Sequence, residues 1–233
     1  MKKSSIINIA IALISLVSTL WIIRDFPDIV PTHFDQYGVA DGWGSKYNSL
    51  IFIVIIVIMQ VFGELLSRYF SKCASKEKDC KKAEESKANA RVIDICFVAV
   101  SAFFAMLNYV FLYMTYSQID NQALQSEVDI TKITVILMGI MFAGVGLLLP
   151  KTKKNSVVGF RLGWTMYNDV TWEKSNRFCS YAMMIFGILN VICALFLDGG
   201  LAIICLLASL LVTTVVLFVY AYSVYKKERK KSE

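Results

Sequence analysis

Six times the chain runs apolar for about 20 residues, the length a helix needs to cross roughly 30 Å of hydrocarbon. The runs are Ile6 to Ile23, Leu50 to Tyr69, Val92 to Tyr116, Ile133 to Leu149, Cys179 to Leu197 and Leu201 to Tyr225. Composition agrees: 57% hydrophobic and 18% charged residues, with a mean hydropathy of +0.58, is too apolar for a water-soluble globule of 233 residues. The fold class expected is all-α, a polytopic membrane protein of six transmembrane helices. The first run is kept as a helix, because the exit after Trp21 offers no pair of small residues for signal-peptide cleavage. The last two runs are separated by Asp198, Gly199 and Gly200, which close a tight helical hairpin more readily than they continue one helix.

Charge sets the expected orientation. With both termini cytoplasmic, all of the 24 Lys and Arg residues except Arg24, Lys46 and Lys132 fall in inner segments, the bias that cytoplasmic loops show. The net charge of +6 is then a topology signal, met by anionic headgroups of the lipid bilayer, and direct nucleic-acid binding is not expected. None of the six cysteines falls in an outer loop, and Cys73 with Cys80 lacks the second ligand pair of a zinc site.

The inner stretch from Ser71 to Arg91, rich in Lys, Glu and Ala, is expected to extend the second and third helices into water or to form a charged helical hairpin. The outer stretch from Ser117 to Ile130 reads as an acidic linker. The inner stretch from Lys151 to Phe178 is the most patterned polar segment. Asn168 followed by Asp169 is a good helix start, and Trp172 and Phe178 fall on nearly one face, which predicts an amphipathic segment at the inner interface feeding the fifth helix. Within the spans, Glu64 stands four residues before Arg68, and Asp94 follows Arg91, both spaced for pairing. Gln60, Asn108 and Asn190 lie deeper and are read as hydrogen bonds between helices. Gly139, Ala143, Gly144 and Gly146 present small faces to a neighbour.

The only histidine lies between the first two spans, in the stretch from Pro31 to Lys46. Gly38 and Gly42 permit left-handed backbone, so this loop can fold back on itself, with Trp43 at the outer headgroup level and Lys46 and Tyr47 anchoring the second helix. His33, Asp35 and Asp41 lack the regular spacing of a ligand set. The readings are a reactive site, a docking face and a packed turn; the residues favour a folded outer turn with a recognition role, and no catalytic residue, metal or cofactor is assigned.

Two patterns resemble a known family. Pro31, Thr32, His33 and Phe34, then Gly38, then Asp41, Gly42, Trp43, Gly44, Ser45 and Lys46 look like the domain of unknown function that forms the N-terminal half of SdpI-type proteins. Asn155, Gly159, Arg161, Trp164, Thr165, Asn168 and Trp172 resemble the SdpI signature. The resemblance implies a domain over residues 1–92, with two spans, the outer loop and the basic inner loop, and an SdpI-like domain over 93–233, with four spans and the inner segment. It departs at Leu162 and Gly163, where the family often has Thr-Pro, and at Asn176, where a histidine commonly precedes the arginine.

What the resemblance implies is a multi-pass immunity protein of the bacterial plasma membrane that protects its producer from a secreted membrane-active peptide toxin. It also implies a second role, holding a small helix-turn-helix repressor at the membrane. On that reading Pro31, Thr32, His33, Gly38, Asp41 and Trp43 form an outer binding surface. Asn155, Gly159, Arg161, Trp164, Thr165, Asn168 and Trp172 form an inner one, where Arg161, Trp164 and Trp172 hold the segment against the bilayer and Arg161 pairs with headgroup phosphate, Glu64 or Asp94. The alternative is a small-molecule or peptide exporter, against which stands the lack of mid-helix proline. An intramembrane enzyme would need a better set than Glu64 with Asn108.

Overall fold

Each apolar run forms a helix, because a chain in hydrocarbon has to satisfy its backbone amides internally. The computed structural model describes residues 2–35, 38–121, 129–154 and 159–231. The helices are α1 (Lys3–Ile23), α2 (Ile51–Lys76), α3 (Cys80–Asn121), α4 (Ile130–Leu148), α5 (Asp169–Phe196) and α6 (Gly199–Arg229), all six long and apolar enough to span a membrane. An even number of spans brings the start of α1 and the end of α6 to one end of the bundle.

The 42 residues of α3 extend over roughly 63 Å at 1.5 Å per residue. That is about twice the hydrocarbon thickness. The excess belongs to its charged first turns, which with the end of α2 make the expected helical hairpin, turning through Glu77, Lys78 and Asp79. Asp198 caps α6 by accepting from the Leu201 amide at 3.0 Å, so the α5–α6 junction is a break. Asp129 serves two helices. One oxygen accepts from the Lys132 amide of its own helix at 2.9 Å and the other from the Gly199 amide at the start of α6 at 2.8 Å. The linker before Asp129, residues 122–128, lies outside the described residues.

Lipid is as apolar as leucine, so helices here associate through close packing and hydrogen bonds. A Cβ on Gly187 of α5 would collide with the Gly139 carbonyl and meet the Ala143 amide at 2.7 Å; one on Gly146 would meet the Ser180 carbonyl at 2.9 Å. Gly144 faces open space, so it is not part of this contact. Val135, Phe186, Ala194, Ala202 and Leu206 fill the centre of α4, α5 and α6, while Ile53, Ile56 and Ala105 join α2 to α3. Asn108 donates to Thr19 of α1 at 2.9 Å and Asn190 to Ser209 of α6 at 3.0 Å, as hydrogen bonds between helices. Gln60 donates to the Asn8 carbonyl of α1 at 2.8 Å.

The segment between α1 and α2 holds strand content that a helical reading did not anticipate. Ile29–Phe34 (β1) and Ala40–Ser45 (β2) pair antiparallel, with Ile29 opposite Ser45 and Pro31 opposite Trp43. Irregularities on either side of His33 then shift it opposite Gly42.

Candidate functional sites at the two ends of the bundle

The hairpin is fastened to the helix ends by buried contacts. Val30 packs with Ile23, Phe26 and Leu112, and Phe34 meets the Phe111 ring edge-on at 5.4 Å. Gln118 of α3 donates to the Gly38 carbonyl at 2.6 Å and accepts from the Ala40 amide at 3.2 Å. Gly38 itself has a φ of 77°, the left-handed region its turn requires. Asp35 closes the turn by accepting from the Val39 amide at 2.9 Å. Pro31 is buried, its carbonyl accepting from Thr115 at 3.4 Å, and Thr32 lies half-buried beside Gly44.

What this scaffold displays is one face of the ribbon. Asp41, Trp43 and Ser45 alternate outward along β2, and Ile29 stands opposite Ser45 on the same side. Trp43 is 62% exposed and Ile29 66%. His33 Nδ1 lies 2.5 Å from the Asp41 carboxylate, with both side chains open to solvent. Among the described residues no three of His, Cys, Asp and Glu converge as metal ligands would. Lys46 is bent inward, donating to the Phe26 carbonyl at 3.1 Å and lying 3.4 Å from Asp28, whose side chain is 96% exposed. At this end the described residues carry Asp25, Asp28, Asp35, Asp41, Asp129 and Asp198 against Arg24, Lys46 and Lys132.

At the opposite end the segment before α5 is knotted by its own hydroxyls. Asn168 accepts from the Thr171 amide at 2.8 Å and its own amide donates back to the Thr171 hydroxyl at 3.0 Å, a reciprocal cap. Thr165, fully buried, accepts from the Leu162 amide at 2.9 Å, and its hydroxyl lies 2.9 Å from the Phe160 carbonyl. Gly159 has a φ of 120°, and a Cβ there would meet Asn176 Oδ1 at 2.7 Å and the Trp172 ring at 2.8 Å. Trp164 sets its edge against Tyr222 at 5.2 Å and Phe218 at 6.1 Å, and Tyr167 meets Tyr225 at 5.1 Å, so the segment leans on α6.

Two sequence expectations need correction here. Trp172 is not a bilayer anchor: it is buried, its Nε1 donating to the Thr152 carbonyl at 3.4 Å beneath Gly159. The neighbours covering its ring include Thr152 and Gly159. Arg161 does not reach Glu64 or Asp94. Those acids pair with Arg68 at 2.8 Å and with Lys2 at 3.2 Å, while exposed Arg161 has no ion pair among the described residues. Asn155 lies outside the described residues.

Comparison with known proteins assigns the same two regions. Residues 151–223 match the model of the SdpI/YfhL protein family, and residues 10–58 match the model described as Domain of unknown function (DUF1648). Over residues 151–223 the chain is similar to the SdpI/YfhL protein family. A curated relative is the Immunity protein SdpI of Bacillus subtilis (strain 168), 22% identical over 225 residues, which are 97% of each chain. No solved structure matches the chain. The family match begins at Lys151 and takes in the knotted segment, α5 and most of α6; the second match takes in α1, the hairpin and the start of α2.

Sequence reasoning missed several residues on which these sites depend. Gln118 and Thr115 hold the hairpin from α3, and Lys174 reaches Glu228 of α6 at 3.1 Å, fastening the start of α5 to the end of the chain. Each partner is more than 50 residues away, and no local pattern encodes such a contact. Thr171 was within reach of sequence reasoning, since a hydroxyl three residues after an Asn cap is a capping-box signal.

Proposed function

We propose that this multi-pass membrane protein is an immunity protein of the bacterial plasma membrane, protecting its producer from a secreted membrane-active peptide. Both termini lie in the cytoplasm and the hairpin outside. The role is non-enzymatic: the outer face recognises the peptide, and the knotted segment is the cytoplasmic surface through which a repressor would be held. The match of residues 151–223 to the SdpI/YfhL family model and the likeness to a named immunity protein support this reading.

The observation that carries it is the hairpin's outward face, where an exposed tryptophan and isoleucine stand among carboxylates on a scaffold fixed from α1 and α3. Apolar side chains alone would suit the lipid, but carboxylates are repelled by anionic headgroups. Trp43, His33 and Asp41 suit a cationic, amphipathic peptide arriving from the medium, drawn by charge and held by the indole, while Pro31, Thr32 and Gly38 shape the hairpin that presents them. The inner counterparts, Gly159, Arg161, Trp164, Thr165, Asn168 and Trp172, build the knotted segment that presents the cytoplasmic surface.

The test is growth of a toxin-sensitive host expressing His33→Ala, Trp43→Ala or the triple variant Asp25→Asn/Asp28→Asn/Asp41→Asn, each shown to reach the membrane. Loss of protection is expected, most severely for Trp43→Ala. If all three protect as the parent does, the outer face is not the recognition surface. Labelling of exposed Cys80 by an impermeant thiol reagent in intact cells would reverse the orientation.

A further inference from the structure

We infer that the cleft between α1 and α2 at the terminal end of the bundle binds a membrane phospholipid whose headgroup carries a hydrogen-bond donor beyond its phosphate. The cleft has a volume of about 860 Å³ and is flanked by the exposed apolar side chains of two membrane-spanning helices. Its polar lining is two facing stripes at helical spacing: Lys2, Ser5 and Asn8 on α1, and Gln60, Glu64 and Arg68 on α2. These stripes run roughly 9 and 12 Å along their helices at 1.5 Å per residue. A polar groove between membrane-spanning helices is costly unless something polar covers it.

The lining specifies what covers it. Lys2 spends two of its three N–H donors, on Ser67 at 2.5 Å and Asp94 at 3.2 Å, and keeps one. Arg68, which lines the cleft, engages Glu64 through Nε at 2.8 Å, leaving its two terminal NH2 groups spare. These spare donors fit a phosphate. Deeper in, the need is opposite: Asn8 Oδ1 is buried with no hydrogen-bond partner among the described residues and requires a donor. Phosphate donors and the donor-seeking oxygen thus line one cleft. Ile9, Val61 and Leu65, each largely exposed, supply the flank along which an acyl chain would lie.

Phosphatidylethanolamine and phosphatidylglycerol carry the required donor, as an ammonium or a hydroxyl; phosphatidylcholine has the same phosphate without it. The full chain would be equilibrated with vesicles of the three lipids in equal amounts and matched acyl chains, and retained lipid counted by native mass spectrometry. One bound lipid per chain is expected, with the donor-bearing lipids favoured over phosphatidylcholine by a factor of about 3–10, the worth of one hydrogen bond. Asn8→Leu should abolish that preference while still retaining lipid, and Arg68→Gln should lower retention of all three lipids. Glycerol 3-phosphate alone should not compete, because the flank takes a chain. Equal retention of phosphatidylcholine, or an Asn8→Leu protein that still discriminates, would overturn the inference.

Discussion

The backbone amide of Phe160 donates to Asn176 Oδ1 over 2.7 Å, fixing the knotted segment onto α5. The same side chain donates through Nδ2 to the Trp172 carbonyl at 3.1 Å, so one buried amide supplies an acceptor and a donor together. Asn176→Ala strands both partners and should cost about 1–3 kcal/mol. Unfolding of the detergent-solubilised protein measures this.

Asn176→His tests the same geometry by pH. A neutral imidazole also offers one acceptor and one donor, so this variant should stay near the parent's stability at alkaline pH. Protonation turns the acceptor into a second donor facing the Phe160 amide. The folded state therefore depresses the imidazole pKa, and stability present above the ordinary value of about 6.5 should be lost as pH falls below it. A flat profile between pH 8 and 5 would show that the histidine does not take the asparagine's place.

Gly159 and Gly163 separate backbone strain from mere proximity. Gly159→Ala forces a side chain into a φ of 120° and against Trp172 and Asn176, whereas a Cβ on Gly163 meets nothing within 4 Å. The first should lower stability by about 1–3 kcal/mol and the second should be nearly silent. Comparison of thermal midpoints and of protection in cells reads both.

The spans were legible because hydropathy over about 20 residues is a local property. The hairpin was not, since β2 contains two glycines and gains its conformation from pairing with β1 and from Gln118 on another helix. Partners in space were legible only when they were close in sequence. Glu64 finds Arg68 one turn away as its spacing predicts, but Asp94 takes Lys2, 92 positions distant, instead of Arg91. Trp172 shows the same limit, because periodicity gives a face without naming what lies against it.

The α4–α5 crossing makes a paired prediction. Gly187→Ala drives a Cβ into the Gly139 carbonyl and should separate the helices, at a cost typical of overpacking, about 1–3 kcal/mol. Gly144→Ala, with nothing within 4 Å, should be neutral or stabilise by up to about 1 kcal/mol through helix propensity. Reversible unfolding in mixed micelles ranks the two; equal losses would mean that Gly187 is not the point of closest approach.

The α1–α3 contact gives a prediction whose sign depends on which group is left behind. Asn108 Nδ2 donates to the Thr19 hydroxyl at 2.9 Å, and both residues are fully buried, while Asn108 Oδ1 has no hydrogen-bond partner among the described residues. Thr19→Val keeps the shape but leaves the whole asparagine amide unpaired in an apolar setting. Asn108→Leu removes both polar atoms and leaves only a hydroxyl, which can turn to a backbone carbonyl of its own helix. Thr19→Val should therefore be the more damaging single change. Adding Asn108→Leu to it should restore stability, with a coupling of about 0.6 to 1.7 kcal/mol as found for hydrogen bonds between membrane helices. A double-mutant cycle measures that term directly, and a double variant no more stable than Thr19→Val would mean that packing, not this hydrogen bond, sets the register of α1 against α3.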